Sequence, residues 1–278
     1  MKKIVILSLL ILVMFWTPAA EAHQPRLVDG PAEVEAPEVS KAYYGELSGR
    51  PAEFRIEASQ DFKLYLGLLV PDLPGARTDM SLFVTKDVAP VAALDGKKAV
   101  WKPFHEEFAN DDYLSGPEYR LDAGPGAYVV TVHSFDNRGK YVLAVGEREE
   151  FPPAEMFNSL RIIPRLKRDF FGKSPADFAL SIIGGGELAL SVIVGILIGL
   201  LYRLVSRRLF RSKTRTLARN IGRPDRLSRA VLALVLLAAG IAFWSVILMI
   251  AAGFVLFEAA AGWCALNQAL GRNTCPIA

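Results

Sequence analysis

The run from Leu188 to Tyr202 (LALSVIVGILIGLLY) carries no charge and is followed by a dense basic stretch. As a helix its fifteen residues cover about 22 Å, short of the ~30 Å hydrocarbon core of a bilayer. Extension back to Gly184 and forward past Arg203, whose charge can snorkel, brings it to roughly 20 residues. The sequence therefore predicts a transmembrane helix within 178–205, with the lipid bilayer as a partner. Glu187 then falls near the outer interface, either as a carboxylate in contact with water or as a partnered intramembrane acid. Ser191, Gly195 and Gly199 recur every four residues on one face, a spacing that lets another helix approach closely. The second apolar block of the same chain is the natural partner.

Charge sets the orientation. From Arg203 to Arg229 there are ten Lys/Arg against one acid, Asp225. A basic run beside a span marks the cytoplasmic side, so 206–223 reads as a basic cytoplasmic linker. Basic runs also bind nucleic acid. This one joins two membrane segments and holds no reading motif, so nucleic acid is not expected.

Upstream of the span the chain reads as exported. Residues 1–22 form a signal peptide: Lys2 and Lys3, an apolar run from Ile4 to Phe15, and Ala20-Glu21-Ala22 before the cleavage point. Residues 23–39 are rich in Pro and acid and read as an extended lead-in. Residues 40–150 alternate with period two. Phe62, Leu64, Leu66 and Leu68 point one way, and Lys63, Tyr65 and Gly67 the other. A hairpin closes the region: Tyr128 to Ser134, the turn Asp136-Asn-Arg-Gly139, then Lys140 to Val145. The expected fold class is an all-β extracytoplasmic sandwich, jelly-roll-like with about eight strands, joined to an α-helical membrane region with three transmembrane helices. Both cysteines of the chain lie at its C-terminal end, so the sandwich must fold without disulfides.

Residues 151–177 read as a juxtamembrane amphipathic helix. Leu160, Ile163, Leu166, Phe170 and Phe171 alternate with Arg161, Arg165, Lys167 and Arg168. That pattern suits a segment lying on anionic lipid, or one packed under the sandwich. Pro164 should kink or split it. Ser174 before Pro175 marks a helix start, and Gly184-Gly-Gly186 an interruption.

Residues 224–278 hold the second apolar block, from Ala230 to Leu256 and on to Ala261. A single helix across it would be about 51 Å long, too long for one span. A turn between Gly240 and Trp244 divides it into spans at roughly 225–241 and 245–262. Both ends of this transmembrane hairpin then face the cytoplasm. Glu258 falls near the inner interface, where it can pair with Arg203 or Arg207.

Two resemblances attach to these patterns. Leu121-Asp-Ala-Gly-Pro-Gly-Ala-Tyr128-Val-Val-Thr-Val132, with Gly139-Lys-Tyr141-Val-Leu143-Ala-Val145, resembles the closing strands of bacterial pre-peptidase C-terminal modules. Those modules bind or present; they rarely catalyse. Arg219-Asn-Ile-Gly-Arg-Pro-Asp225-Arg-Leu-Ser-Arg229, a helical hairpin, and Gly262-Trp-Cys264 through Gly271-Arg-Asn-Thr-Cys275-Pro276 resemble the YgaP-like inner-membrane domain family. Ala265 stands where that family often has Pro. The resemblance implies a two-helix membrane hairpin and a location, not a reaction. In some members the hairpin follows a sulfurtransferase domain, which is not recognisable in this sequence.

Constellations for chemistry are sparse. Cys264 and Cys275 are a candidate thiol pair, with ten residues between them instead of the two of a redox or zinc motif. They read as a helix-end packing pair, a reversible disulfide or a soft-metal site. His23, as a mature N-terminus, could chelate copper with His105 or His133. Glu106, Glu107, Asn110, Asp111 and Asp112 are dense enough in oxygen for calcium, but lack the spacing of a calcium loop and read as solvated. No catalytic triad, phosphate loop or metalloprotease motif occurs. The expectation is a non-enzymatic, cofactor-free protein that displays a binding or scaffold module to an extracytoplasmic protein or glycan. The alternatives are a membrane redox, sulfur or small-ion handling protein using Cys264 and Cys275, and a periplasmic copper-binding protein using His23.

Overall fold

The computed structural model describes residues 23–209, 219–270 and 272–274. The signal-peptide reading of 1–22, most of the basic linker, the side chain of Arg207, and Cys275 lie outside the described residues. The chain divides after Lys173 into a β-rich unit and a helical unit.

The first unit is built on two curled sheets. One runs, in spatial order, β1 (Gln24–Leu27), β3 (Lys41–Ser48), β11 (Arg138–Val145), β5 (Phe62–Pro71), β9 (Asp111–Ala123) and β8 (Lys102–Glu106). The other runs β2 (Ala32–Glu33), β4 (Ala52–Ala58), β10 (Gly126–His133), β6 (Ser81–Lys86) and β7 (Ala89–Leu94). The period-two residues make the core between them. Phe54, Ile56, Leu64, Leu66, Val84 and Val130 are all buried, joined by Tyr128 and Tyr141. Each such side chain contributes about 1.5–3 kcal/mol of burial.

Among the described residues eleven strands stand where the alternation indicated about eight. The closing hairpin is corrected: β10 pairs with β4 and β6 in one sheet and β11 with β3 and β5 in the other, so the turn between them crosses from sheet to sheet. Two of the additional strands lie in the segment read as an extended lead-in. β1 pairs in parallel with β3, and β2 in parallel with β4. Parallel partners are not joined by a tight turn, so no hairpin signal announces them.

Helix α1 (Pro153–Arg165) starts on Pro153, which suits a first-turn position because its missing N–H would be unpaired there anyway. Pro164 lies inside it, and beyond Arg165 the chain passes into a π-helical turn, Leu166–Phe170. The lipid-facing expectation is corrected for this segment. Leu166, Phe170 and Phe171 are buried against Ala42, Tyr44, Tyr113 and Val142. The rings of Tyr44 and Phe170 meet edge to face at 5.3 Å, and those of Tyr113 and Phe171 at 5.6 Å. Such pairs add about 0.5–1.5 kcal/mol each.

In the second unit a 3₁₀ turn, Pro175–Leu180, is capped by Ser174, whose Oγ accepts from the Ala176 N–H at 3.2 Å. The chain bends at Ser181, and α2 (Ile182–Leu209) follows. The interruption expected at Gly184-Gly-Gly186 is therefore displaced: those glycines lie inside α2. A Cβ on Gly184 would collide with the Phe178 carbonyl, so glycine there lets the 3₁₀ turn fold back against the helix. Ile182–Ser206 is long and apolar enough to cross a membrane. Next come α3 (Arg223–Ala242), a turn at 243–245, α4 (Val246–Ala261) and a short α5 (Ala265–Ala269). α4 packs on both α2 and α3.

Candidate functional site

A dense polar cluster of the helical unit surrounds Cys264. α4 ends at Gly262, which takes the left-handed conformation with φ +63°. That reversal carries the chain back past Asn220. The Asn220 Oδ1 accepts from the Cys264 N–H at 2.6 Å, and its Nδ2 donates to the Cys264 carbonyl at 2.9 Å. One buried amide thus satisfies both backbone groups of one buried residue. The Asn220 carbonyl in turn accepts from the Thr274 N–H at 3.2 Å. Thr274 also hydrogen-bonds the Asp225 carboxylate through its hydroxyl.

Glu258 closes the cluster. Its carboxylate is 3% exposed, with Oε2 at 2.7 Å from Arg229 Nη1 and Oε1 accepting from the Ala265 N–H at 2.8 Å. Arg229 Nη2 also donates to Cys264 Sγ at 3.0 Å, and the Asn267 N–H reaches the same sulfur at 3.4 Å. A buried carboxylate needs such company, because an unpaired charge in a low-dielectric site is costly. The cluster is a clasp: it fastens the open end of the α3–α4 hairpin around a buried thiol.

Arg229 and Asn220 were missed in the sequence, although one signal pointed to Arg229. It and Glu258 stand almost equally far from Trp244, so folding the block about that residue brings them together. Arg203, a partner expected for Glu258, has its guanidinium 5.9 Å from the centre of the Trp263 ring. A Cβ on Gly195 would collide with the Ile250 carbonyl of α4, and one on Gly199 would meet the Phe257 ring. Ser191 is buried. At the other end of these helices Trp244 Nε1 donates to Glu187 at 2.9 Å.

The β unit holds a second polar cluster, beneath α1 and its π turn. Asp111 and Lys167 are buried, 1% and 0% exposed, and 2.8 Å apart. Lys167 also donates to the Asn110 carbonyl at 2.9 Å, and Lys173 reaches Asp111 at 3.2 Å. Burial pushes the Asp111 carboxyl upward, and both ammonium groups pull it back. Glu106 is likewise raised by burial, opposed by the Ala109 and Phe108 N–H groups that it accepts. The hydroxyls of Tyr44 and Tyr113 meet at 3.0 Å, and burial raises both. The oxygen-rich loop read as solvated is thus divided. Asp111 is internal, whereas Asp112 is exposed and pairs with His105 at 2.7 Å. The cavity here has a volume of about 30 Å³, room for a water but not for a substrate.

The three histidines are not brought together. His23 bonds the Ser40 hydroxyl, His105 bonds Asp112, and His133 borders an open groove with Phe135, Asp79, Asp95 and Lys97. Among the described residues no group of three or more His, Cys, Asp or Glu is placed to hold a metal ion. That groove has a volume of about 370 Å³, and the Phe135 ring beside it is 86% exposed.

No curated protein matches the chain. Among solved structures, the pre-peptidase C-terminal domain of a collagenase from Bacillus anthracis is similar at 15% identity, over 45% of this chain and 96% of that one, with a TM-score of 0.26. Residues 217–278, the stretch that carries the α3–α4 hairpin and its clasp, match the family described as inner membrane protein YgaP-like, transmembrane domain.

Proposed function

We propose that this chain is an inner-membrane protein of three spans that displays a jelly-roll-like β-sandwich outside the cytoplasm as a non-enzymatic binding module. One observation carries the reading: charge is partitioned along the helices. Arg203, Arg223, Arg226 and Arg229 lie toward one end of α2 and the hairpin. At the opposite end, the Glu187–Trp244 pair ties the start of α2 to the hairpin turn. By the positive-inside rule the arginine end is cytoplasmic, which leaves the start of α2, and the β unit before it, outside.

The lengths support it. The 28 residues of α2 reach about 42 Å, the 20 of α3 about 30 Å and the 16 of α4 about 24 Å. A span as short as α4 is accommodated by local thinning and by the indole of Trp244 at the interface. Leu197, Leu201, Leu234 and Ile247 are exposed on these helices, which suits lipid and not water. The face offered to a protein or glycan partner is the groove beside Phe135. Its ring can stack on an apolar surface while Asp79, Asp95, Lys97 and His133 supply hydrogen bonds.

A cysteine-free β unit makes the orientation directly testable. Val100 is 75% exposed, so Val100→Cys offers a surface thiol. A membrane-impermeant maleimide is expected to label it in intact spheroplasts. Labelling only after permeabilisation would invert the orientation and remove the proposed role.

A further inference from the structure

Arg223, Arg226, Leu227 and Ala230 fall three and four residues apart on α3 and so share one face. Opposite them α4 presents Leu256, Ala259 and Ala260. The two faces line an open groove of about 380 Å³. Its hollowness has a simple cause, since three of its seven lining side chains are alanine methyls.

The groove is polarised along its length. Both arginines lie at the first turn of α3, where the helix end itself carries partial positive charge. Leu227, Ala230 and Leu256 continue from there as an apolar trough. Arg226 is held in place: its Nε donates to the Ala259 carbonyl at 2.8 Å and its Nη2 to the Ala260 carbonyl at 3.3 Å. Arg223 is exposed. The acids nearby are engaged elsewhere, Asp225 with Thr274 and Glu258 with Arg229. A fixed cationic mouth over an apolar trough, on the outside of a membrane hairpin, matches a molecule with a phosphate at one end and a hydrocarbon at the other.

We propose that this groove holds one anionic phospholipid, with its phosphodiester on Arg223 and Arg226 and the first methylenes of an acyl chain along Leu227, Ala230 and Leu256. An anionic lipid is favoured over a zwitterionic one because a headgroup ammonium would meet the two guanidinium groups. The inference rests on the membrane reading given above and adds a specific ligand to it.

The test uses the full chain in nanodiscs of phosphatidylcholine with a minority of phosphatidylglycerol. Lipid retained through detergent extraction is quantified by mass spectrometry, as the ratio of bound phosphatidylglycerol to phosphatidylcholine over the bulk ratio. Enrichment is expected for the native chain. Each arginine near an anionic lipid is worth a factor of about five, so Arg223→Gln should lose about that factor. Arg226→Gln also removes a cap from α4, so Ala230→Leu serves as the second variant. It fills the trough, leaves both arginines in place, and should release the lipid. A bound ratio equal to the bulk ratio, or enrichment untouched by both Arg223→Gln and Ala230→Leu, overturns the inference. Carbonate extraction separates the two claims. A chain that stays in the membrane without enrichment refutes the lipid site alone, whereas a chain that washes off refutes the membrane reading as well.

Discussion

Asp111 and Lys167 give the sharpest stability prediction, because the two halves of the pair are not equivalent. Lys167→Met leaves Asp111 with a second ammonium, Lys173 at 3.2 Å, whose side chain is 30% exposed. Asp111→Ala takes the carboxylate away from a wholly buried Lys167, and the Asn110 carbonyl at 2.9 Å is a neutral acceptor that does not balance its charge. Breaking a buried pair costs about 3–5 kcal/mol. The lysine variant belongs at the low end, about 3 kcal/mol, and the aspartate variant at the high end, about 5 kcal/mol. Against a total of about 5–15 kcal/mol for a domain, the second approaches global unfolding. The double variant Lys167→Met with Asp111→Leu removes both charges, lets Lys173 turn to water, and should recover most of the loss. The assay is urea unfolding of the full chain in detergent, followed by the β signal in far-ultraviolet circular dichroism. With a slope of about 2 kcal/mol per molar, Lys167→Met lowers the midpoint by about 1.5 M. The reasoning fails if both single variants cost less than about 1 kcal/mol, or if the lysine variant is the worse of the two.

Three further outcomes are expected. Val88 is β-branched, 93% exposed and left-handed at φ +68° in the β6–β7 turn, so Val88→Gly should gain about 1 kcal/mol in the same titration, and a loss would contradict the strain argument. On α2, Gly195→Leu should cost about 1–3 kcal/mol by thermal unfolding in detergent, because the new side chain meets the α4 backbone. Gly186→Ala, which meets open space, should gain about 1 kcal/mol, so equal effects at the two glycines would remove the helix-contact account. For Glu106, burial raises the folded carboxyl above its unfolded value, so the folded state keeps its proton to higher pH. Its contribution is therefore fully present below the ordinary glutamate range, about 4.3, and is lost as pH rises through the folded value. Glu106→Gln should flatten that part of the stability–pH curve, and an unchanged slope would assign the effect to another group.

Legibility followed the range of the signal. The alternation of Phe62 to Leu68 sufficed to find a core strand, because burial on one face of a sheet has period two. The turn before the last strand was visible in its residues, where Asn137 and Gly139 do adopt positive φ, but the hairpin inferred from it was not there. A turn signal does not say whether the strands it joins pair or cross to opposite sheets. The C-terminal motif was readable as a family resemblance and is matched at 217–278. Lys167 was not readable. It sits in a run with Arg165 and Arg168 that looks like a basic face, and what buries it is a carboxylate 56 residues earlier, held by Lys167 and Lys173 together. Asn220 likewise works through partners at 264 and 274, which no local pattern connects. Gly184 misled for a different reason. A glycine that breaks a helix and one that admits a neighbouring turn are identical in sequence.

The clasp at Asn220 has one more consequence. Among the described residues its hydrogen bonds run from Asn220 to Thr274, with Gly262 and Cys264 between. The hairpin thus closes its own ends, as a brooch does, yet it leans on the helix that leads into it: Gly195 and Gly199 of α2 meet α4, and Tyr202 and Arg203 meet the Trp263 ring. A segment built this way can be moved behind another globular partner only if α2 travels with it.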